Sequence, residues 1–258
     1  MSRLVIPSKK FRSADVKSFT KISKAVRSNM GHKRTKPRKS DETKLDDLIP
    51  IEKKKFTLDF LNEFQRSIWP KIEKNDVIFL LGGAGTGKSF LASSYAIYSL
   101  LEKKTAKIVV TRPIVEAGEK LGFLPGTFEE KVHPYMLPLY DALDDICGED
   151  AQQRTFVDAH LEVAPVAYLR GRTLKNSVCI LDEAQNCTYT QLKLFLTRIG
   201  YGSKLIITGD PQQSDLGNNI ALLDVVTRLK NVTNIGTVHI ANEHIVRHPL
   251  IADIASRL

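Results

Sequence analysis

The chain has 258 residues, enough for one well-buried α/β domain with an appendage and tight for two full-sized domains. Hydrophobic residues at 42% and charged residues at 26% are near globular averages, which excludes wholesale disorder and fibrous classes. The net charge of +9 is unevenly placed: residues 1–40 hold 13 basic residues against the single acid Asp15, for +12, and residues 41–258 net −3.

At the start of the chain, Leu4-Val5-Ile6 is too short for the core of a signal peptide, and no run approaches the ~20 apolar residues that span a bilayer. Val16, Phe19, Ile22 and Val26 fall on one face of a short helix. The stretch Gly31–Lys39 offers nothing apolar to bury and is expected to be flexible. Residues 1–55 thus read as a largely flexible basic arm: a solvated tail, a nucleic-acid anchor or a transit peptide. Cys147, Cys179 and Cys187 are odd in number and form no CxxC pair, so neither a disulfide framework nor a structural zinc site is expected. These features point to a soluble protein of a reducing interior, with the cytoplasm as its expected location and no membrane partner.

From Phe56 the pattern turns globular. Apolar runs at Val77–Leu81, Ile108–Val110, Val178–Leu181, Leu205–Ile207 and Val238–Ile240 read as strands. Ser89–Leu101, Thr190–Ile199, Ile220–Leu229 and Leu250–Leu258 read as helices between or after them. Continuous apolar strands alternating with amphipathic segments predict an α/β domain over 56–258, a parallel sheet flanked by helices.

Gly82-Gly83-Ala84-Gly85-Thr86-Gly87-Lys88-Ser89 fits G-x-x-x-x-G-K-[ST] at every fixed position, between a predicted strand and a predicted helix. Its glycines let backbone N–H groups converge on phosphate oxygens at a helix N-terminus. Lys88 is expected to reach the β- and γ-phosphates of ATP, and Ser89 to ligate Mg²⁺. Further on, Val178-Cys-Ile-Leu-Asp182-Glu183-Ala-Gln-Asn186 ends a buried strand in two acids. Behind a P-loop, Asp182 is the expected second metal ligand and Glu183 the group that orients or deprotonates the attacking water. Gln213, in Gly209-Asp-x-x-Gln spacing, is placed to sense the γ-phosphate; Asp210 and Gln212 read nearly as well as a turn after a strand. Gln65, seventeen residues before Gly82, has the paired donor and acceptor that can read an adenine edge.

Leu-Asn-x-x-Gln, the P-loop, Thr111-Arg112-Pro113, Asp-Glu-Ala-Gln and Gly-Asp-x-x-Gln, in this order, resemble the front half of a superfamily-one helicase. With Arg112–Gly126, Glu130–Tyr135, Pro138–Leu143, Arg170-Gly-Arg-Thr-Leu174 and Val246-Arg-His-Pro-Leu250 added, the chain resembles the PhoH-family ATPases from about Phe56 to Leu258. The resemblance implies a RecA-like P-loop NTPase domain associated with RNA and with helicase activity, in which Thr111 and Arg112 touch the nucleic-acid backbone. Some members of that family carry an N-terminal PIN-type nuclease domain; residues 1–55, with six acids, do not read as one, and nuclease activity is not expected. His133 and Leu137 stand where the family pattern has Asp and Arg. In superfamily-one helicases a second RecA-like domain brings arginines to the γ-phosphate. One such domain therefore implies a ring, a hexamer, with Arg247 reaching the ATP of a neighbour. The expected function is Mg²⁺-dependent ATP hydrolysis coupled to binding or remodelling of RNA or single-stranded nucleic acid. An RNA-binding protein switched by ATP without unwinding, and a small-molecule kinase, are the alternatives.

Overall fold

The computed structural model describes residues 63–113, 137–148, 150–213 and 220–241, all within 51–258, the larger of the two units into which the chain divides. The expected helix at 15–26, the basic stretch 31–39, the boundary at residue 55, the helix Leu250–Leu258, and His133 and Arg247 lie outside them.

Six strands form one sheet: β1 (Val77–Gly82), β2 (Lys107–Thr111), β3 (Leu161–Val163), β4 (Ser177–Leu181), β5 (Lys204–Gly209) and β6 (Ile235–Ile240). Their order is β3-β2-β4-β5-β1-β6, and every pairing among the described residues is parallel. Strands β1, β4 and β5 are buried almost end to end, as continuous Val/Ile/Leu runs require when helices cover both faces. Among the described residues six α-helices accompany them: α1 (Glu63–Lys74), α2 (Lys88–Leu101), α3 (Leu137–Cys147), α4 (Ala151–Ala159), α5 (Tyr189–Leu196) and α6 (Ala221–Leu229). Two begin on side-chain caps. The Asp150 carboxylate accepts from the N–H groups of Gln152 and Gln153, and Thr188 with Gln191 forms a reciprocal capping box.

The pleat sorts alternate residues to two faces. Phe79, Leu81, Val109, Leu181, Leu205 and Ile207 pack with Leu192 and Phe195 of α5 and Leu222 and Val225 of α6. Their neighbours Ile78, Leu80, Ile108, Ile180 and Ile206, none more than 2% exposed, form the other face. There α2 lies across β1, β2, β4 and β5, with α3 and α4 against it. Helix α1 joins the same side through Trp69, whose ring stands 5.1 Å from that of Tyr95 and 5.3 Å from that of Tyr98. Its last turn is held by Lys204 Nζ, which donates to the carbonyls of Ile72 (2.6 Å) and Asn75. Burial pushes the Lys204 ammonium below its ordinary range, opposed by the nearby Asp76 and Glu73 carboxylates.

Both edges depart from the pattern of the centre. In β6 only Val238 and Ile240 are buried, and Thr237 and His239 face solvent. In β3 all three residues are half-buried, and Glu162 accepts from Arg172 (2.9 Å) and Lys107 (3.2 Å). The Arg172 hydrogen bond holds the Glu162 carboxyl below the usual carboxylate range. Among the described residues no helix is long and apolar enough to cross a membrane.

Candidate nucleotide site

Buried polar side chains gather where β1, β2, β4 and β5 end: Thr86, Thr111, Asp182, Gln185, Asn186, Thr208 and Asp210 are each 9% exposed or less. Elsewhere such groups cost free energy unless they are hydrogen-bonded or serve chemistry.

The loop after β1 explains its glycines by contact and by backbone angle. A Cβ on Gly82 would lie 2.4 Å from the Ile240 carbonyl oxygen of the neighbouring β6. Gly87, the N-cap of α2, has φ 79°, a left-handed conformation that side-chain-bearing residues rarely adopt. Lys88 Nζ folds back over the loop and donates to the carbonyls of Gly82 and Gly83, each at 2.7 Å, and Thr86 Oγ1 donates to Gly83 O at 2.8 Å. The ammonium is thus held at the mouth of the loop, beside the N-terminus of the 14-residue α2. Amide dipole and ammonium charge converge on one place, the arrangement that binds phosphate. Gly83, Ala84, Gly85 and Thr86 form the turn between β1 and α2.

Ser89 and Asp182, 93 positions apart, meet across the sheet: Ser89 Oγ donates to Asp182 Oδ1 at 2.8 Å. Strand β5 lies between β1 and β4 and supplies a second hydroxyl, as Thr208 Oγ1 donates to the same carboxylate oxygen. A carboxylate and a serine hydroxyl, both hard oxygen donors, suit Mg²⁺, which commonly takes one or two protein carboxylates and completes its shell with phosphate and water.

Glu183 begins the 3₁₀ turn Ala184–Asn186 with φ 55° and ψ 43°, left-handed for a residue that is not glycine. Its Oε1 lies 3.3 Å from Arg112 Nη2, and its Oε2 accepts from Gln185 Nε2 at 2.6 Å. Gln185 Oε1 accepts in turn from the Asp210 N–H at 3.0 Å. Asp210 Oδ1 accepts from the Gln212 N–H, and Gln213, exposed, donates its N–H to the Asp210 carbonyl. Cys187, next in the chain after the turn, is fully buried and its thiol is pushed up to about 12 by loss of solvation. That makes it a packing residue and not a nucleophile.

The structure brings Gly82–Ser89, Asp182 and Glu183 to one end of the sheet, and Arg112 with them. Thr111 is fully buried beside Leu181, in register on β4, and the side chain of Arg112, the next residue, is 31% exposed. Gln65 is buried on α1 at 1% exposure, whereas the side chains of Glu63 and Arg66 are exposed. Two residues that hydrogen-bond the site's acids, Thr208 and Gln185, were given no role from the sequence. The first had a signal, the lone hydroxyl in Lys204-Leu-Ile-Ile-Thr208-Gly209.

A phosphate-binding loop ahead of α2, opposite a hydroxyl-bonded aspartate on a parallel sheet, gives the protein the fold of a P-loop NTPase. Sequence comparison carries this to a family: residues 57–258 match PhoH, described as PhoH-like protein, and the chain belongs to that family. It is 48% identical over 192 residues to a PhoH-like protein of Bacillus subtilis (strain 168), covering 74% of this chain and 60% of the relative. It is 41% identical over 193 residues to Protein PhoH of Escherichia coli (strain K12), covering 73% of this chain and 54% of the relative. The match therefore spans little more than half the length of these curated relatives. Among solved structures, the large terminase from a thermophilic bacteriophage aligns with TM-score 0.49 at 13% identity, covering 79% of this chain and 50% of that one.

Proposed function

We propose that the protein hydrolyses ATP with Mg²⁺ and couples hydrolysis to binding or remodelling RNA or single-stranded nucleic acid. The observation that carries the nucleotide half is the Ser89–Asp182 hydrogen bond beside Lys88. The +12 charge of residues 1–40 and the half-exposed Arg112 beside the site support the nucleic-acid half.

In this reading the Lys88 ammonium neutralises the β- and γ-phosphates, and Gln65 reads the adenine edge. Ser89 and Asp182 hold Mg²⁺, which when bound offsets negative charge on the phosphates. Glu183 orients a water and accepts its proton as the water oxygen bonds to the γ-phosphorus. The bond to the β–γ bridging oxygen breaks, and ADP leaves with the electron pair. Gln213 senses the γ-phosphate from the loop after β5. Thr208 fixes the Asp182 carboxylate toward the metal. Thr208→Val keeps the β-branched shape of the strand residue and removes the hydroxyl. The Mg²⁺ concentration for half-maximal turnover is then expected to rise roughly 10- to 100-fold, the usual cost of losing a partner of a metal ligand. An unchanged Mg²⁺ dependence rules that role out.

Assembly as a hexameric ring, with Arg247 of one subunit at the ATP of the next, belongs to the same proposal. Mixing Lys88→Ala with Arg247→Ala subunits recovers turnover that neither has alone if the ring forms; full activity in a dilute monomer contradicts it. A duplex-unwinding assay separates a helicase from an ATP-switched RNA-binding protein. The outcome for the second is RNA affinity that follows nucleotide state with no strand separation.

A further inference from the structure

The parallel register of β2 and β4 sets Thr111 beside Leu181, and the Asp182 N–H donates to the Thr111 carbonyl at 3.0 Å. The two chains leave the sheet side by side, which brings Arg112 to Glu183. Arg112 Nη2 stands 3.3 Å from Glu183 Oε1 while Gln185 Nε2 holds Oε2 at 2.6 Å, so both carboxylate oxygens are engaged. A carboxylate that is to orient an attacking water must aim a lone pair at it, and a donor held on each oxygen fixes where the remaining lone pairs point. Gln185 is tied to the Asp210 backbone and is 5% exposed, a fixed partner. Arg112 is the partner that a solute can reach: its side chain is 31% exposed and that of Glu183 36%.

Guanidinium binds phosphate at least as well as carboxylate, since its planar donor fork fits either anion. The Arg112–Glu183 pair is partly solvated and screened by salt, and pairs of this kind bias a conformation by about fivefold at most. A nucleic-acid backbone that makes several further contacts exceeds that bias easily. We propose that Arg112 is a positioning residue that restrains Glu183 until a nucleic-acid phosphate takes its guanidinium. The inference rests on the reading of Glu183 as the water-orienting group, and it supplies that site with its regulator: the polynucleotide backbone, sensed through one ion pair. Removing Arg112 then acts in two directions, raising turnover without nucleic acid and abolishing further stimulation by it. A residue that only bound nucleic acid would give the second effect alone, and one that only stabilised the fold would give neither.

The experiment is steady-state ATP turnover by the full chain, as wild type, Arg112→Ala and Arg112→Gln, each with and without polyuridylate at one fixed salt concentration. The glutamine variant keeps most of the side chain's reach and guards against a packing defect. Both variants are expected to turn over ATP about three- to fivefold faster than wild type without RNA, with KM for ATP unchanged, and to gain nothing on its addition. Wild-type turnover should rise with RNA to about the level of the variants. If RNA stimulates the wild type but neither variant exceeds it without RNA, the restraint is overturned and nucleic-acid coupling stands. If the variants are faster but RNA leaves the wild type unchanged, nucleic acid is not what lifts the restraint, and both the proposal and the coupling of hydrolysis to RNA fall.

Discussion

Replacing Lys88 with alanine is expected to lower ATP turnover by on the order of 10³-fold or more, the scale of losing a charge aimed at the developing negative charge of a transferring phosphoryl group. The folded state should survive. Lys88 is half-buried at the mouth of the loop and packs no core; its nitrogen donates to the carbonyls of Gly82 and Gly83 at 2.7 Å. Those carbonyls sit at the loop's edge, where water can replace the ammonium, so the stability change should stay near ~1 kcal/mol, toward the lower end for bonds to charged donors. A coupled phosphate-release assay and a thermal melt on the same preparation check both halves. A variant that folds and hydrolyses ATP at near wild-type rate places the phosphates elsewhere.

Glu183→Gln should separate binding from chemistry. The amide keeps the length of the side chain and can still accept from Gln185 Nε2, but it is no proton acceptor and carries no charge for Arg112. Turnover is expected to fall by roughly 10²- to 10⁴-fold, the usual contribution of a positioned base. Affinity for ATP with Mg²⁺ should remain, because Ser89 and Asp182 are untouched. Equilibrium binding of a fluorescent ATP analogue, with single-turnover hydrolysis, measures the two separately. A variant with near-normal turnover refutes the assignment of Glu183; one that loses binding makes it part of the nucleotide's hold and not of the water's.

The central strands were legible because burial on both faces selects runs of Val, Ile and Leu, with hydroxyl residues only near the strand ends. Val77–Leu81 became β1 with one residue added, and Val178–Leu181 became β4 likewise. The edges were harder. Strand β6 starts at Ile235, but Gly236 and Thr237 break the apolar run, and only Val238–Ile240 reads as a strand. Strand β3 is Leu161-Glu162-Val163, whose centre is an ion-paired glutamate, so no hydrophobic period marks it. The expected helix Thr190–Ile199 is α5, Tyr189–Leu196: the capping box at Thr188 sets its start, and Gly200 follows close after its end.

At the site, the loop and the Asp-Glu pair announce themselves because their chemistry fixes residue type at set spacings. Partners contributed from elsewhere in the sheet do not. Thr208 reaches Asp182 only because β5 lies between β1 and β4, a strand order that sequence does not state. The Arg112–Glu183 contact depends on the register of β2 against β4 in the same way. Thr111 and Arg112 differ for the same reason: the last strand position is fully buried, and the side chain of the next residue emerges at 31% exposure.

ATP turnover by the full chain, followed as single-stranded RNA is titrated in at constant Mg²⁺ and salt, tests most directly whether hydrolysis is coupled to RNA. With such coupling, Mg²⁺-dependent hydrolysis is expected to show a kcat that rises saturably with RNA, with the midpoint moving to higher RNA concentration as salt increases, since phosphate contacts release counterions. Hydrolysis at the same rate at every RNA concentration, with no RNA bound, contradicts it.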